Sequence, residues 1–342
     1  MRASGKGITI HDVASRAGVS ITTVSRYMNG FYENMSESTR QRLEQVIREL
    51  DYRPNALARG LKSQNSMTIG CVMADMASPF SALLVKGINA VCREQGYKVL
   101  ILDADNDPRL EAEAYKSLLN NPVEGIISNT TGRVDGELLA VAGAIPVVLA
   151  DRVIETPGQI DSVVSDNAEA SFAALRYLKE QGYRRVGFFS PPVEKISTRT
   201  ARLAAFRRAE EELFGRNAEE DTFLYDPADP ASLPEALRRF LGAGAKPCAI
   251  FSVNGAVTLE LLRTMRRQGI ELSGELGLCG FDDWAWSELI GPGITTLVAD
   301  TYEMGVRSAE LLLERIRGKE PGPARCIELK NVLTERGSTQ IR

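Results

Sequence analysis

Two hydrophobic patterns divide this chain. Over the first fifty residues, apolar side chains recur every three to four positions in three short segments, as in amphipathic helices. From residue 68 onward, short and almost wholly apolar runs alternate with longer amphipathic segments. Continuous apolar strands separated by helices are typical of parallel sheets covered on both faces. The pattern therefore predicts an N-terminal three-helix head and an α/β body with parallel sheets.

The first segment predicts a helix that begins after Thr9. Asp12 follows three residues later, as in a capping box. Gly18 ends the helix, because the left-handed conformation needed there causes no Cβ clash in glycine. The apolar face of this helix consists of Ile10, Val13, Ala14 and Ala17.

A second and a third helix complete the head. Ser20 caps the second, whose buried face carries Val24 and Met28, and two short helices around a glycine-containing turn are the helix-turn-helix signature. Ser36 caps the third helix, predicted over 37–50, and either Phe31 or Met35 is expected to turn inward before it. Its apolar stripe is Leu43, Val46, Ile47 and Leu50.

The exposed face of the second helix has the composition of a base-reading surface. In a major groove, Arg bonds to guanine, Thr to any base edge, and an apolar side chain touches a thymine methyl. The alternative is an ordinary helical hairpin with a solvated face. This face carries Ile21, Thr22, Ser25, Arg26 and Asn29.

The body is predicted to form two α/β lobes, with the chain crossing between them near 162–166 and 290–300. Strands are predicted at 68–74, 98–102, 125–128, 146–149, 185–189, 249–252 and 276–279. Helices are predicted at 80–95, 110–120, 136–142, 168–181, 200–214, 233–241, 257–268 and 302–317. Ligands of such sheets bind beyond the carboxyl ends of the strands, which predicts one site in the cleft between the lobes.

Polar residues follow many of these strands. Carboxylates and amides exchange hydrogen bonds with hydroxyl groups, and a ring stacks on a sugar face, so the set suits a polyhydroxylated ligand. For any single Asp or Asn, capping of the next helix is the alternative. The set comprises Asp75, 78–80, Asp103, Asp105, Asp151, Arg152, Asp166, Asn167, 198–202, Asn254, Asp282 and Asp283.

Charge agrees with the division into head and body. Residues 1–62 hold ten Lys and Arg against six Asp and Glu, whereas the remainder holds 31 against 39. A basic head on an acidic body suits a small nucleic-acid module joined to a larger domain. At 342 residues, 44% of them hydrophobic, the chain is long enough for about two to three domains.

No segment predicts secretion or membrane insertion. Residues 1–7 lack an apolar signal segment, and no run approaches the roughly 18 apolar residues of a membrane span. Odd in number and widely spaced, the cysteines are expected to be buried, reduced thiols and not a zinc site: Cys71, Cys92, Cys248, Cys279 and Cys326. We therefore expect a cytoplasmic protein with no membrane partner.

The residues that most catalysis needs are missing from the body. His11, the one histidine, lies in the head, which nearly excludes Ser–His or Cys–His catalysis and His-rich metal centres. Neither a Gly-x-Gly-x-x-Gly run after a strand nor a phosphate-binding Gly-Lys loop occurs. Glu111, Glu113 and the glutamates at 210–212 are interpreted as solvated helix faces. The sequence predicts no enzyme, no cofactor and no metal.

The head resembles that of LacI-type bacterial transcription regulators. The resemblance rests on residues 10–14 (IHDVA), 17–20 (AGVS), 23–26 (TVSR), 36–40 (SESTR) and 52–59 (YRPNALAR). The body is similar to the same family, which shares its fold with periplasmic sugar-binding proteins. There the matching runs are 166–167 (DN), 182–186 (GYRRV), 202–206 (RLAAF), 280–283 (GFDD) and 295–296 (TT).

The resemblance implies a role for each matching residue at DNA. Ile21, Thr22 and Arg26 would face bases in the major groove, and residues 55–62 would form a hinge helix ordered only on operator DNA. Leu61 matches the leucine that inserts between central base pairs in the minor groove. The complete implied set is Thr9, Ile21, Thr22, Thr23, Ser25, Arg26, Asn29, Asn34, Asn55, Ala58 and Leu61.

The resemblance also implies an effector site, with Arg202 and then Asp282 as the strongest candidates. Gly255 stands where relatives usually carry Asp. Arg152, Arg199 and Arg202 near the cleft indicate an anionic ligand such as a sugar acid. Residues 32–36 resemble those of regulators of ketogluconate or hexuronate use. The implied contacts are Phe80, Asp151, Thr198, Arg202, Asn254 and Asp282.

The sequence thus predicts a transcription regulator of carbohydrate-utilisation genes, of the repressor type. The expected domains are a head over 1–53, a hinge over 54–65 and an effector-binding and dimerisation domain over 66–342. Its expected partners are a near-palindromic operator, a sugar or sugar-acid effector and a second copy of the chain, since no leucine heptads for tetramers occur. The alternatives are a solute receptor and a sugar-metabolising enzyme with a DNA tether.

Overall fold

The computed structural model describes residues 8–28, 30–33, 35–52, 66–156, 158–272, 274–318 and 322–341. Its contacts divide the chain into two compact units, Met1–Ser66 and Met67–Arg342. The first unit holds helices α1 (Ile10–Ala17), α2 (Ile21–Met28) and α3 (Glu37–Glu49).

The head confirms the predicted caps and core. Thr9 and Asp12 form the capping box, in which Asp12 Oδ2 accepts the Thr9 N–H at 2.8 Å. Gly18 has φ +64° and donates its N–H to the last carbonyls of α1. Met35 packs against the core, whereas Phe31 is 65% exposed, so only the former turns inward. The buried core consists of Val13, Ala14, Ala17, Val24, Leu43 and Val46.

The second unit consists of two α/β lobes. The strands are β1 (Thr68–Met73), β2 (Lys98–Asp103), β3 (Gly125–Asn129), β4 (Val147–Ala150), β5 (Asp161–Ser165), β6 (Arg185–Ser190), β7 (Thr222–Leu224), β8 (Cys248–Ser252), β9 (Leu276–Phe281), β10 (Thr295–Val298), β11 (Cys326–Leu329) and β12 (Val332–Thr334). The helices are α4 (Pro79–Glu94), α5 (Pro108–Asn120), α6 (Asp135–Ala142), α7 (Asn167–Glu180), α8 (Ser197–Ala209), α9 (Ser232–Gly242), α10 (Gly255–Gln268) and α11 (Thr301–Ile316).

Each lobe is built on a six-stranded sheet. The N-terminal lobe has the order β11-β5-β4-β3-β1-β2 and the C-terminal lobe has the order β12-β10-β9-β8-β6-β7. All neighbouring strands run parallel except β10 and β12. Parallel strands place their carboxyl ends at one edge of each sheet, which is where the predicted ligand residues lie.

The chain passes between the lobes three times, after β5, after β10 and after β11. The last passage was not predicted, because β11 and β12 are short edge strands with no continuous apolar run. Asp166 ties the first passage to the last: its Oδ1 accepts from the Asn331 backbone N–H at 2.8 Å, and Lys330 lies 3.3 Å from Oδ2. This carboxylate therefore braces the interlobe connection instead of facing the ligand.

Several predictions about burial are wrong. Glu111 and Glu210 are both 0% exposed; Glu111 accepts a hydrogen bond from the Tyr115 hydroxyl at 2.7 Å. The predicted helix over 200–214 begins at Ser197 and ends at Ala209, and one π-helical turn, Glu210–Phe214, follows it. All five cysteines are free, but Cys326 is exposed because it lies on an edge strand.

Candidate functional sites

The carboxyl ends of the two sheets line a cleft of about 900 Å³. The structure brings all six predicted effector residues to it: Phe80, Asp151, Thr198, Arg202, Asn254 and Asp282. Phe80 comes from the first turn of α4, and Thr198 and Arg202 from the first two turns of α8. Asn254 Oδ1 also caps α10 by accepting the Val257 N–H at 2.9 Å, which leaves its amide nitrogen to donate to a ligand.

Arg202 is held rigidly in the cleft wall. Its Nε donates to Asn167 Oδ1 at 2.8 Å and its Nη1 donates to the Val253 carbonyl at 2.6 Å. The guanidinium carbon lies 3.5 Å from the centroid of the Phe281 ring. Burial lowers the pKa of Arg202, although the carboxylates of Asp282 and Asp151 oppose that shift. An arginine fixed on three sides presents its remaining N–H groups at a defined place.

Further guanidinium ions line the cleft, with Arg152 following β4 of the N-terminal lobe and Arg199 on α8 of the C-terminal lobe. Arg152 Nη1 donates to the Thr130 carbonyl at 2.9 Å, while its Nε is buried without a hydrogen-bond partner in the described part of the chain. Burial and then repulsion from Arg152 lower the pKa of Arg199 to about 10. Across residues 66–156, 158–272, 274–318 and 322–341, no carboxylate lies within 4.0 Å of Arg199. Arg152 has only a distant carboxylate, since its Nε lies 4.0 Å from Asp151 Oδ2. Desolvated cations with a distant carboxylate or none create a favourable position for an anion.

Some polar residues at strand ends serve the scaffold instead. Asp283 forms a bidentate ion pair with Arg336, with both N–O distances 2.8 Å. Burial alone would raise the pKa of Asp283, but the hydrogen bonds from Arg336 and Thr296 keep it below its usual value. Asp103 accepts the N–H of Met76, in the turn after β1, and that of Asp105. Neither Asp103 nor Asp105 belongs to the cleft lining.

Several lining residues were not predicted from the sequence: Asn129, Arg133, Tyr225, Trp284 and Trp286. Asn129 ends β3 and donates from Nδ2 to the Ala150 carbonyl at 3.0 Å, so the same strand-end rule could have found it. Tyr225 follows β7, a three-residue edge strand that is too short to be predicted from a hydrophobic run. The two tryptophans lie in the loop after β9, where spacing carries no signal.

The second helix of the head presents a polar exposed face. Thr22 and Arg26, one turn apart, are exposed, and Ser25 beside them is partly exposed. Ile21 packs partly against the head core, and Thr23 contributes its N–H to the Ser20 cap at 3.1 Å. Thr9 belongs to the α1 cap. The remaining predicted DNA contacts lie outside the described residues: Asn29, Asn34, Asn55, Ala58 and Leu61.

Comparison with known families decides what these two units are. The model of periplasmic binding proteins and sugar binding domains of the LacI family matches residues 66–333, and that of bacterial regulatory proteins of the lacI family matches residues 9–55. The chain belongs to the LacI family. Regulators named PtxS from Pseudomonas plecoglossicida and KdgR from Bacillus subtilis, both of the HTH type, are 39% and 36% identical to it. They cover 98% and 94% of this chain and 96% and 95% of their own.

Solved structures show the same LacI-family fold. The lac repressor dimer bound to operator and an anti-inducer has a TM-score of 0.82 at 23% identity, covering 98% of this chain and 100% of its own. The regulator CelR in complex with cellobiose has a TM-score of 0.70 at 27% identity, covering 97% and 99%.

These findings decide between the three interpretations of the sequence. The family match includes the helix-turn-helix head, and the relatives above are named as transcriptional regulators. The protein is therefore a LacI-family transcriptional regulator, and neither a solute receptor nor an enzyme. No helix in the described ranges is long and apolar enough to cross a membrane. In those ranges, no three His, Cys, Asp or Glu side chains come together as a metal site.

Proposed function

We propose that this regulator represses carbohydrate-utilisation genes from a near-palindromic operator and that a sugar acid in the cleft controls it. The observation that carries the proposal is a single cleft that holds the guanidinium ions of Arg152 and Arg199 together with the carboxylates of Asp151 and Asp282. The head over 1–53 binds the operator, the segment 54–65 is the hinge, and residues 66–342 bind the effector and dimerise. As a regulator of genes it acts in the cytoplasm.

The anionic end of the effector is assigned to Arg152 and Arg199. Arg152 and Arg199 repel each other and have no full carboxylate partner, since Arg152 Nε lies 4.0 Å from Asp151 Oδ2. A ligand carboxylate between them would accept charge-assisted hydrogen bonds and remove that repulsion. A neutral sugar would leave the same guanidinium groups unpaired, which favours the acid.

The hydroxyl groups are assigned to the carboxylates of the cleft. Asp151 and Asp282 accept hydrogen bonds, and Asn254 and Asn129 supply amide groups beside them. Arg202 contributes the donors that its three anchoring contacts leave over. Phe80 and Thr198 complete the implied set, with an aromatic face and a hydroxyl group. Convergent polar groups of both signs in one cleft are typical of specific sugar recognition.

Base reading is assigned to α2. Thr22 and Arg26 project from its exposed face, with Ser25 beside them and Ile21 at the edge of the core. The other implied contacts are assigned to the phosphates, the flanking bases and the minor groove: Thr9, Thr23, Asn29, Asn34, Asn55, Ala58 and Leu61. Effector binding closes the lobes of the body and changes whether the hinge segments fold on DNA.

A homodimer provides the two heads that a near-palindromic site requires. The edge strand β2 supports this assembly, because Leu100 and Ile101 are 39% and 38% exposed on it. Leu83 on α4 is 43% exposed. Exposed apolar side chains on an unpaired sheet edge favour association with a second chain. The lac repressor, a structural relative, is described as a dimer on its operator.

A thermal-shift screen tests the effector class. The full-length protein is heated with 2-keto-D-gluconate, D-glucuronate, D-glucose and D-ribose at equal concentration. Since a ligand that binds the folded state raises its melting temperature, the proposal predicts a rise with an acid and none with the neutral sugars. A rise with neutral sugars alone contradicts the anion assignment.

A further inference from the structure

The indole of Trp284 packs against Gly255 in the cleft lining. A Cβ built on Gly255 would lie 2.9 Å from Cε2 and Cζ2 of the Trp284 indole and 3.0 Å from Cδ2. Real Cβ atoms essentially never come that close, so no side chain fits at position 255 while the indole keeps its place. The three distances are nearly equal, and Cε2 and Cδ2 form the bond shared by the two rings. The glycine therefore meets the face of the indole and not its edge.

The reason for glycine at this position is space and not backbone conformation. Gly255 begins α10 and its φ lies outside the left-handed range. Its N–H donates to Asp282 Oδ2 at 3.0 Å. The glycine thus contacts both the indole of Trp284 and the carboxylate of Asp282, which we propose binds the effector. The departure from Asp at this position, noted in the sequence, makes room for an aromatic ring.

The two tryptophans of the cleft differ in what holds them. Their rings meet edge to face, with centroids 5.9 Å apart and an interplanar angle of 84°. Trp286 packs against the core of the C-terminal lobe, whereas Trp284 lies outside that core in the part of the chain described. Both line the cleft. One face of Trp284 covers Gly255, and the indole is partly exposed in the cleft lining, so its other face is the one that a ligand can reach.

We propose that Trp284 is a specificity-determining residue, with its free indole face packing on the carbon chain or ring face of the effector, and that Gly255 makes its position possible. This inference rests on the sugar-acid proposal and adds the apolar contact that the charged groups do not supply. Sugars present C–H groups on one face, and an indole face is a complementary surface for them.

A double-mutant cycle tests the pair. The acid that binds the wild type most tightly, 2-keto-D-gluconate or D-glucuronate, is titrated by calorimetry into Trp284→Ala, Gly255→Ala and the double variant. Either single change is expected to weaken binding by about tenfold. If Gly255→Ala acts only by displacing the indole, the double variant is no weaker than Trp284→Ala, to within about twofold. Operator affinity without the acid is measured for each variant as a check that it is folded.

The chain contains two tryptophans, which gives a second readout that does not depend on the Gly255 variant folding. Trp286→Phe leaves Trp284 as the one fluorophore, and Trp284→Phe leaves Trp286. A stacked ligand shields an indole from acrylamide, so the acid should reduce quenching in Trp286→Phe and leave it unchanged in Trp284→Phe.

The outcomes separate the two proposals. An acid that binds the wild type and Trp284→Ala equally well overturns the role of Trp284 and leaves the sugar-acid proposal standing. Independent, additive effects of the two substitutions overturn the dependence of the indole on Gly255. If neither acid binds the wild type, the sugar-acid proposal fails and this inference fails with it.

Discussion

Asp151 and Asp282 occupy matching positions in the two lobes. Asp151 follows β4 and Asp282 follows β9, and their φ angles are +69° and +68°. A left-handed conformation is uncommon for a residue with a side chain and costs about 1 kcal/mol or more. The guanidinium of Arg202 interacts with both carboxylates. The two lobes therefore present strained acidic residues to one shared arginine, which is the arrangement expected of a site where a ligand links the lobes.

Removal of Arg202 should separate effector response from DNA binding. Arg202→Ala is expected to keep operator affinity and to weaken the effector by about 30-fold or more, since it removes charge-assisted hydrogen bonds of about 2 kcal/mol or more. Calorimetry with the acid and fluorescence anisotropy on operator DNA measure the two properties. Equal loss of both would indicate a folding defect and contradict the assignment.

Arg199 should discriminate acids from neutral sugars. Arg199→Gln removes the positive charge, so binding of the acid should fall by about tenfold or more while any binding of neutral sugars is unaffected. Arg199→Lys is the matched control, because it keeps the charge and should retain part of the affinity. The pKa of Arg199 is about 10, so its contribution should stay constant between pH 6 and pH 8 and be lost only as the pH rises through about 10. A pH-dependent loss of acid binding near neutrality would contradict this.

Arg26 should carry sequence preference at the operator. Arg26→Ala is expected to cost about 1–3 kcal/mol on the operator and to relax specificity at one base pair, because an arginine in the major groove reads guanine. Arg48→Ala is the control: Arg48 is an exposed arginine of α3 that pairs with Glu44 at 3.0 Å. When the affinities for operator and for a random duplex are compared at equal salt, Arg26→Ala should lose preference for the operator and Arg48→Ala should keep it. Similar behaviour of the two variants would contradict a base contact.

Glu210 should make the body less stable as the pH rises. Burial, and then repulsion by Asp221, raises the pKa of Glu210 to about 7. Its two carboxylate oxygens have no hydrogen-bond partner among the described residues, and the nearest cation, Arg216, has its Nε 3.7 Å away. With the folded pKa above the unfolded value, the contribution of Glu210 to stability is present below about pH 4.5 and is lost as the pH rises through about 7.

Glu210→Gln is therefore expected to raise the free energy of unfolding at pH 8 by on the order of 2 kcal/mol and to change it little at pH 5. Glu211→Gln, one residue away and exposed, should change it at neither pH. Urea unfolding at the two pH values measures the difference. A Glu210→Gln protein that is less stable than the wild type at pH 8 would show that the buried charge is compensated.

The sequence predicted the cleft because one topological rule governs it. Strands of a parallel sheet end at the same edge, so Asp151, Asn254 and Asp282 could be grouped before any contact was known. The caps of α1 and α3 were equally predictable, since they depend on residues three apart. Local spacing and topology were sufficient in both cases.

What the sequence could not predict depends on contacts between distant segments. Glu111 looks like a surface residue of α5 until Tyr115 and Thr131 enclose it. Trp284 gains its place from the missing side chain at Gly255, 29 positions earlier in the chain. β11 and β12 are held by neighbouring strands and not by apolar runs of their own. No single segment contains the information for these features.

The most direct test of the account is the affinity of the full-length protein for DNA from upstream of its own gene, with and without a sugar acid. Fluorescence anisotropy at about 150 mM salt compares a symmetric site with a random duplex of equal length. The account predicts preference for the symmetric site and a change in its affinity of about 5- to 150-fold when 2-keto-D-gluconate or D-glucuronate is added. Equal affinity for the two duplexes, or an operator affinity that neither acid changes, would contradict it.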